Sequence, residues 1–244
     1  MALNKEVFKT RALTALVFVV VMLVGLLWNE WSFLLLLLII HFGSWFEFFK
    51  LLKKISPENY LFYSLLGLLY ITLPFVLMYK MSFFWKGFEF DGYWPTVNRK
   101  IFISFFPCLI LFSIWINDTM QYVVGSLIGK TPFSKISPKK TWEGTIGGAM
   151  LCIIIIGLTY TLIYKAKTLA GFNAPIPSVH YFAIAAICAI FGTLGDLLES
   201  KIKRTAGVKD SGSFMPGHGG FLDRFDSILI ATPVVWLYFQ IFVV

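Results

Sequence analysis

Apolar residues run along this chain in long unbroken stretches and seldom alternate with polar ones. Seven stretches stand out, at 12–28, 32–49, 60–79, 101–116, 146–164, 179–195 and 227–244. Each, as a helix, crosses or nearly crosses a hydrocarbon core about 30 Å thick. A helix at a water-facing surface would carry a polar stripe, and a membrane barrel would alternate over segments of about ten residues. The pattern therefore predicts an all-α fold, a polytopic membrane helix bundle of seven or more transmembrane helices. The first stretch ends in Leu26-Leu27-Trp28-Asn29-Glu30 with no small-x-small site, so it is expected to remain as a span.

The stretch 101–116 is short, and Asn117-Asp118-Thr119 separates it from a second apolar segment, 120–130. Together these can form one broken helix whose polar break lines a cavity. Pro74 and Pro107 lie inside spans, where neighbouring helices stabilise a kink. His41 is expected to be a hydrogen-bonded core histidine, and His180 likewise. Glu47 is expected to reach the interface beside Lys50.

Composition agrees with the pattern: 58% of residues are hydrophobic and 14% charged, where a soluble domain carries roughly a quarter. The net charge is +8. With the N-terminus in the cytoplasm, 15 Lys and Arg fall in cytoplasmic segments and 6 on the far side, the bias expected of that orientation. Cys108, Cys152 and Cys188 lie far apart inside apolar runs, which suggests small core residues and neither disulfides nor a zinc site.

The charges concentrate in two cytoplasmic segments. Within 196–226 stand five basic and five acidic residues. Asp196 and Glu199 are three apart at the end of one span, and Asp223 and Asp226 three apart at the start of the next, so each pair can share a helix face. Four converging carboxylates would repel one another unless a hard cation such as Mg²⁺ sat among them. Lys201, Lys203, Arg204, Lys209 and Arg224 supply cations suited to phosphate, and Gly217, Gly219 and Gly220 around His218 allow backbone amides to approach an anion. Charged helix ends that merely solvate the boundary would account for either acidic pair alone. They do not account for the acids, cations and glycines together, which describe a triphosphate site.

The second segment, 117–148, holds Asn117-Asp118-Thr119, Gly129-Lys130, Ser137-Pro138-Lys139-Lys140-Thr141-Trp142-Glu143-Gly144 and Gly147-Gly148. Lys139 and Lys140 fit cytoplasmic flanks and Trp142 an interfacial anchor. The glycine pair permits close helix packing or approach to phosphate. Asp118 is less easily explained as a flank.

The run Ser200-x-Ile202-Lys203-Arg204-x4-Lys209-Asp210-x-Gly212-x2-Met215-Pro216-x-His218-Gly219-Gly220-Phe221-x-Asp223-Arg224-Phe225-Asp226 resembles the signature of the phosphatidate cytidylyltransferases, and 117–144 is similar to the upstream motif of that family. Met215 departs from the usual Leu or Ile, and the family usually has more than seven spans. The resemblance implies two regions: N-terminal transmembrane helices over 1–100, and a catalytic transmembrane region over 101–244. It also implies CTP and phosphatidate as partners within membrane lipid, no nucleic acid, Mg²⁺ with room for a second metal ion, and a homodimer as one option. Asp196, Glu199, Asp223 and Asp226 would then bind metal, with Lys209 and Arg224 beside them in catalysis. Lys203, Arg204, His218, Gly219, Gly220, Asp118, Lys139 and Lys140 would hold phosphate. The motifs assign no residue to the cytosine ring; an aromatic such as Trp142 could stack on it. The expected location is the inner membrane of a bacterium, with the site facing the cytoplasm.

Two other activities fit parts of the pattern. A CTP-dependent kinase of a lipid alcohol such as polyprenol would need a base, for which His218 and Asp223 are available. An ion-coupled transporter could use Asn117-Asp118 as a cation site, although transporters place ionisable groups at mid-membrane.

Overall fold

In the computed structural model, residues 5–83, 105–169, 176–214 and 219–243 are described. The helices are α1 (Lys5–Leu27), α2 (Glu30–Ile55), the short α3 (Tyr60–Ser64), α4 (Leu73–Phe83), α5 (Phe105–Ile128), α6 (Trp142–Leu169), α7 (Ser178–Thr205) and α8 (Leu222–Phe242). No strand occurs among the described residues, apart from an isolated bridge between Pro132 and Thr141.

Among the described residues, six helical segments are long and apolar enough to cross a membrane: Glu30–Ile55, Tyr60–Ser82, Phe105–Ile128, Trp142–Ile163, Ser178–Thr205 and Leu222–Phe242. A shorter apolar helix, Leu13–Leu27, accompanies them. The chain is thus an all-α polytopic integral membrane protein. The burial pattern of α2 gives the physical reason. It buries Phe33, Leu36, Leu37, Ile40, Phe48 and Leu51 while exposing Leu35, Leu38, Ile39, Phe42 and Phe46. A helix apolar on both faces is stable only where hydrocarbon replaces water.

The chain divides into two compact units, Met1–Cys108 with Ala206–Arg224 and Leu109–Thr205 with Phe225–Val244. In the first, α2 begins at an N-cap where Asn29 Oδ1 accepts from the Ser32 amide at 2.8 Å and Ser32 Oγ accepts from the Asn29 amide at 3.1 Å. A π-helical turn, Leu68–Thr72, ends two residues before Pro74, which has no amide hydrogen to donate. His41 is hydrogen-bonded as expected, its Nε2 lying 3.0 Å from Thr72 Oγ1 and accepting from Trp45 Nε1 at 3.1 Å.

In the second unit the expected break at Asn117-Asp118-Thr119 is absent, because α5 runs through it without interruption. The polar residues are accommodated on the helix itself. Thr119 Oγ1 donates to the Trp115 carbonyl one turn back, and Ser113, Asn117 and Gln121 share one buried face at four-residue spacing. Gln121 Nε2 then donates to Thr193 Oγ1 of α7 at 2.7 Å. Gly144, Gly147 and Gly148 lie where α6 passes α5, with Gln121, Val124 and Gly125 occupying the space their side chains would need. His180 contacts the Tyr238 hydroxyl at 2.8 Å, and the three cysteines are buried free thiols.

Candidate active site

The last three turns of α7 and the first two of α8 bring Asp196, Glu199 and Asp226 together within the second unit. One ligand oxygen from each lies within 4.8 Å of the others. Their convergence has a local cause in Gly195, where α7 touches the Asp226 carbonyl and the Ser227 Cα of α8. Glu199 and Asp226 are buried and Asp196 is partly exposed. Three carboxylates so close repel one another, and two lysines offset part of this. Lys203 Nζ is 2.6 Å from Glu199 Oε2, one turn along α7, and Lys140 pairs with Asp196. An all-oxygen donor set of this kind fits a hard divalent metal ion.

Lys140 belongs to the connection between α5 and α6, which is tied down at several points. The Phe133 amide donates to the Lys140 carbonyl at 2.8 Å and the Trp142 amide to the Thr131 carbonyl at 3.0 Å. Glu143, in the first turn of α6, accepts from the amides of Lys130 and Thr131 and from Thr131 Oγ1 at 2.8 Å. Thr141 caps α6 by accepting from the Gly144 amide. Lys139 and Asp118 are exposed. Trp142 is half exposed and meets the Phe133 ring edge-on, with centroids 4.6 Å apart. Asn117 is buried with neither amide atom hydrogen-bonded, an arrangement that costs about 1–3 kcal/mol unless another partner is supplied.

Asp223 sits in the first unit and its carboxylate turns back onto its own loop. Its Oδ2 accepts from the Ser211 amide and hydroxyl, each at 2.9 Å, and from the Gly220 amide at 2.7 Å. Beside it lies a carboxylate whose role the sequence did not reveal. Glu47 of α2 is 4% exposed, where an interfacial position was expected. It accepts from the amides of Phe221 and Leu222, each at 2.9 Å, and from Ser211 Oγ at 2.7 Å. The N-cap position of α8 is Phe221, whose side chain has no acceptor, so Glu47 supplies the missing cap from another helix. The amide of Gly220, expected to face phosphate, is thus taken by Asp223. Gly219 adopts φ +85°, and a side chain there would strike Asp223. Lys209 and Arg224 are exposed in this unit and Arg204 is exposed at the end of α7. His218 lies outside the described residues.

The profile of the Cytidylyltransferase family matches residues 95–242, more than half of the chain and both charged segments. The chain belongs to this family. Among its relatives is the phosphatidate cytidylyltransferase of Bacillus subtilis (strain 168), 40% identical over 139 residues, covering 57% of this chain and 47% of that protein. The enzyme of the same name from Staphylococcus saprophyticus is 35% identical over 185 residues, covering 70% and 66%. That from Staphylococcus aureus (strain COL) is 34% identical over 197 residues, covering 80% and 71%. The chain therefore spans about half the length of the first of these relatives and about two thirds of the next two. In this cytidylyltransferase-family chain, the matched region contains the three-carboxylate cluster, both lysines paired with it and the Asp223 loop.

Proposed function

We propose that this protein is a phosphatidate cytidylyltransferase, converting CTP and phosphatidate to CDP-diacylglycerol and pyrophosphate. The observation that carries the reading is the cluster of Asp196, Glu199 and Asp226 with Lys140 and Lys203 in contact with it, at the ends of apolar helices. In the reaction, a phosphate oxygen of phosphatidate forms a bond to the α-phosphorus of CTP, and the bond from that phosphorus to the bridging oxygen of the β-phosphate breaks. Pyrophosphate leaves with the electron pair. The attacking phosphate monoester is already ionised near neutral pH, so positioning and charge neutralisation suffice without a general base.

Asp196, Glu199 and Asp226 would hold Mg²⁺, which when bound supplies positive charge against the phosphates of the nucleotide. Lys140 offers its ammonium to the phosphatidate headgroup, and Lys203, Lys209 and Arg224 bind the phosphates of CTP, as the resemblance of their motif implies. The bias of 15 cytoplasmic against 6 opposite-side basic residues supports a site facing the cytoplasm, where CTP is found. The bacterial relatives support the inner membrane as its location.

The test is pyrophosphate release by the purified protein in detergent with CTP and Mg²⁺, with and without phosphatidate. Release that depends on phosphatidate is expected. Formation of CDP with polyprenol and no pyrophosphate would replace this reading with lipid-alcohol phosphorylation.

A further inference from the structure

Glu47 is an acid in the middle of an apolar helix, yet all its described hydrogen bonds go to one loop and the helix start that follows it. The fit is made from both sides. A Cβ on Gly212 or Gly220 would collide with the Glu47 carboxylate, and one on Gly43, a turn before Glu47 on α2, would enter the Phe221 ring. Gly212 and Gly220 therefore make room for the carboxylate of Glu47, and Gly219 for that of Asp223. Ser211 links the two acids, its hydroxyl lying 2.7 Å from Glu47 and 2.9 Å from Asp223. The amides of Ser211, Gly220, Phe221 and Leu222 all donate to these two acids.

We infer that Glu47 is a positioning residue of the transferase: by holding Ser211 and the start of α8 at Phe221 and Leu222, it sets how Lys209 and Arg224 are presented to the phosphates of CTP. The inference rests on the proposed function for its link to CTP, but the anchoring itself does not. Apolar packing would hold α2 against the loop without the desolvation cost of a buried charge. A carboxylate adds direction, because its two oxygens accept from two successive amides only when α8 begins at Leu222.

Two measurements on Glu47→Gln test this. The first is tryptic cleavage after Lys209, exposed in the loop, in the full-length protein without nucleotide. Cleavage is expected to accelerate about tenfold, as befits losing one or two charge-assisted hydrogen bonds. A wild-type rate overturns the anchoring. The second is steady-state pyrophosphate release, where the KM for CTP is expected to rise about tenfold while kcat changes far less. A smaller folded fraction lowers kcat at unchanged KM, so that result overturns the positioning role. Gly212→Ala displaces the same carboxylate without removing it and is expected to give both effects, which keeps the test open if Glu47→Gln does not fold. If the wild-type protein releases no pyrophosphate, the transferase reading fails, while the cleavage rates still decide whether Glu47 anchors the loop.

Discussion

A Cβ placed on Gly195 would sit 2.5 Å from the carbonyl oxygen of Asp226. The backbones of α7 and α8 thus touch one residue before Asp196, and that contact sets the spacing of the carboxylate cluster. Gly195→Ala meets rigid backbone and has no flexible side chain to displace, so overpacking is expected to cost about 1–3 kcal/mol. Turnover should fall at least about tenfold as the acids separate. Gly192→Ala is the control. Its Cβ would meet Ser227 Cβ at 3.5 Å and Ile114 Cγ1 at 3.6 Å, ordinary contact distances, and it should be nearly silent. Thermal unfolding in detergent together with pyrophosphate release separates the two variants, and equal behaviour would remove Gly195 as the determinant.

Asp226 and Asp223, three residues apart, should fail in different ways. Asp226→Asn keeps an oxygen able to accept from the Ser227 amide, a bond of 2.6 Å in the wild type, while losing the charge of one member of the cluster. Near-native unfolding with turnover reduced about 100-fold or more is expected, the size typical of removing a group that stabilises transition-state charge. Asp223→Ala deletes three hydrogen bonds to the loop and should destabilise the protein by about 3 kcal/mol at about 1 kcal/mol each. Wild-type rates in Asp226→Asn would remove the metal-site reading.

Lys140 pairs with the Asp196 carboxylate, which the proposal also assigns to the cation. Lysine and metal then compete for one anion. Lys140→Met should therefore lower the Mg²⁺ concentration that gives half-maximal activity, even as maximal turnover drops. The pair is partly exposed, at 20% and 28%, so solvent screening limits the shift to about 1 kcal/mol, or about fivefold in Mg²⁺. A Mg²⁺ titration of both proteins measures it, and a requirement that rises in the variant would show that Lys140 supports the cation site.

Spacing rules made Asp196 and Glu199 legible in the sequence, because residues three apart on a helix share a face. The same rule grouped Asp223 with Asp226, and there it was not enough. Asp223 lies in the first turn of α8, where unsatisfied amides of the preceding loop compete for its carboxylate. Glu47 was beyond any spacing rule, since its partner amides are 174 and 175 positions away. Its only local signal was a carboxylate within an apolar run, a functional sign in membrane segments. The long helices were readable from hydropathy alone. The expected break in α5 was not observed: Thr119 and Gln121 bond to their own and a neighbouring helix, and Asn117 is buried within the continuous helix.

Glu143 fastens the connection that carries Lys140, accepting from two backbone amides and the Thr131 hydroxyl. Replacement by Gln leaves one acceptor oxygen and puts a donor against a donor, so the connection should loosen while α6 keeps its Thr141 cap. The expected loss in turnover is about three- to tenfold, as befits weakened positioning of one substrate-binding side chain. Thr131→Val removes only the hydroxyl bond of 2.8 Å and should fall between the wild type and Glu143→Gln. Phosphatidate titrations of the three proteins check the order. If Thr131→Val were the more damaging change, the hydroxyl itself would have to contact substrate, and Glu143 would be holding Thr131 in place for that purpose.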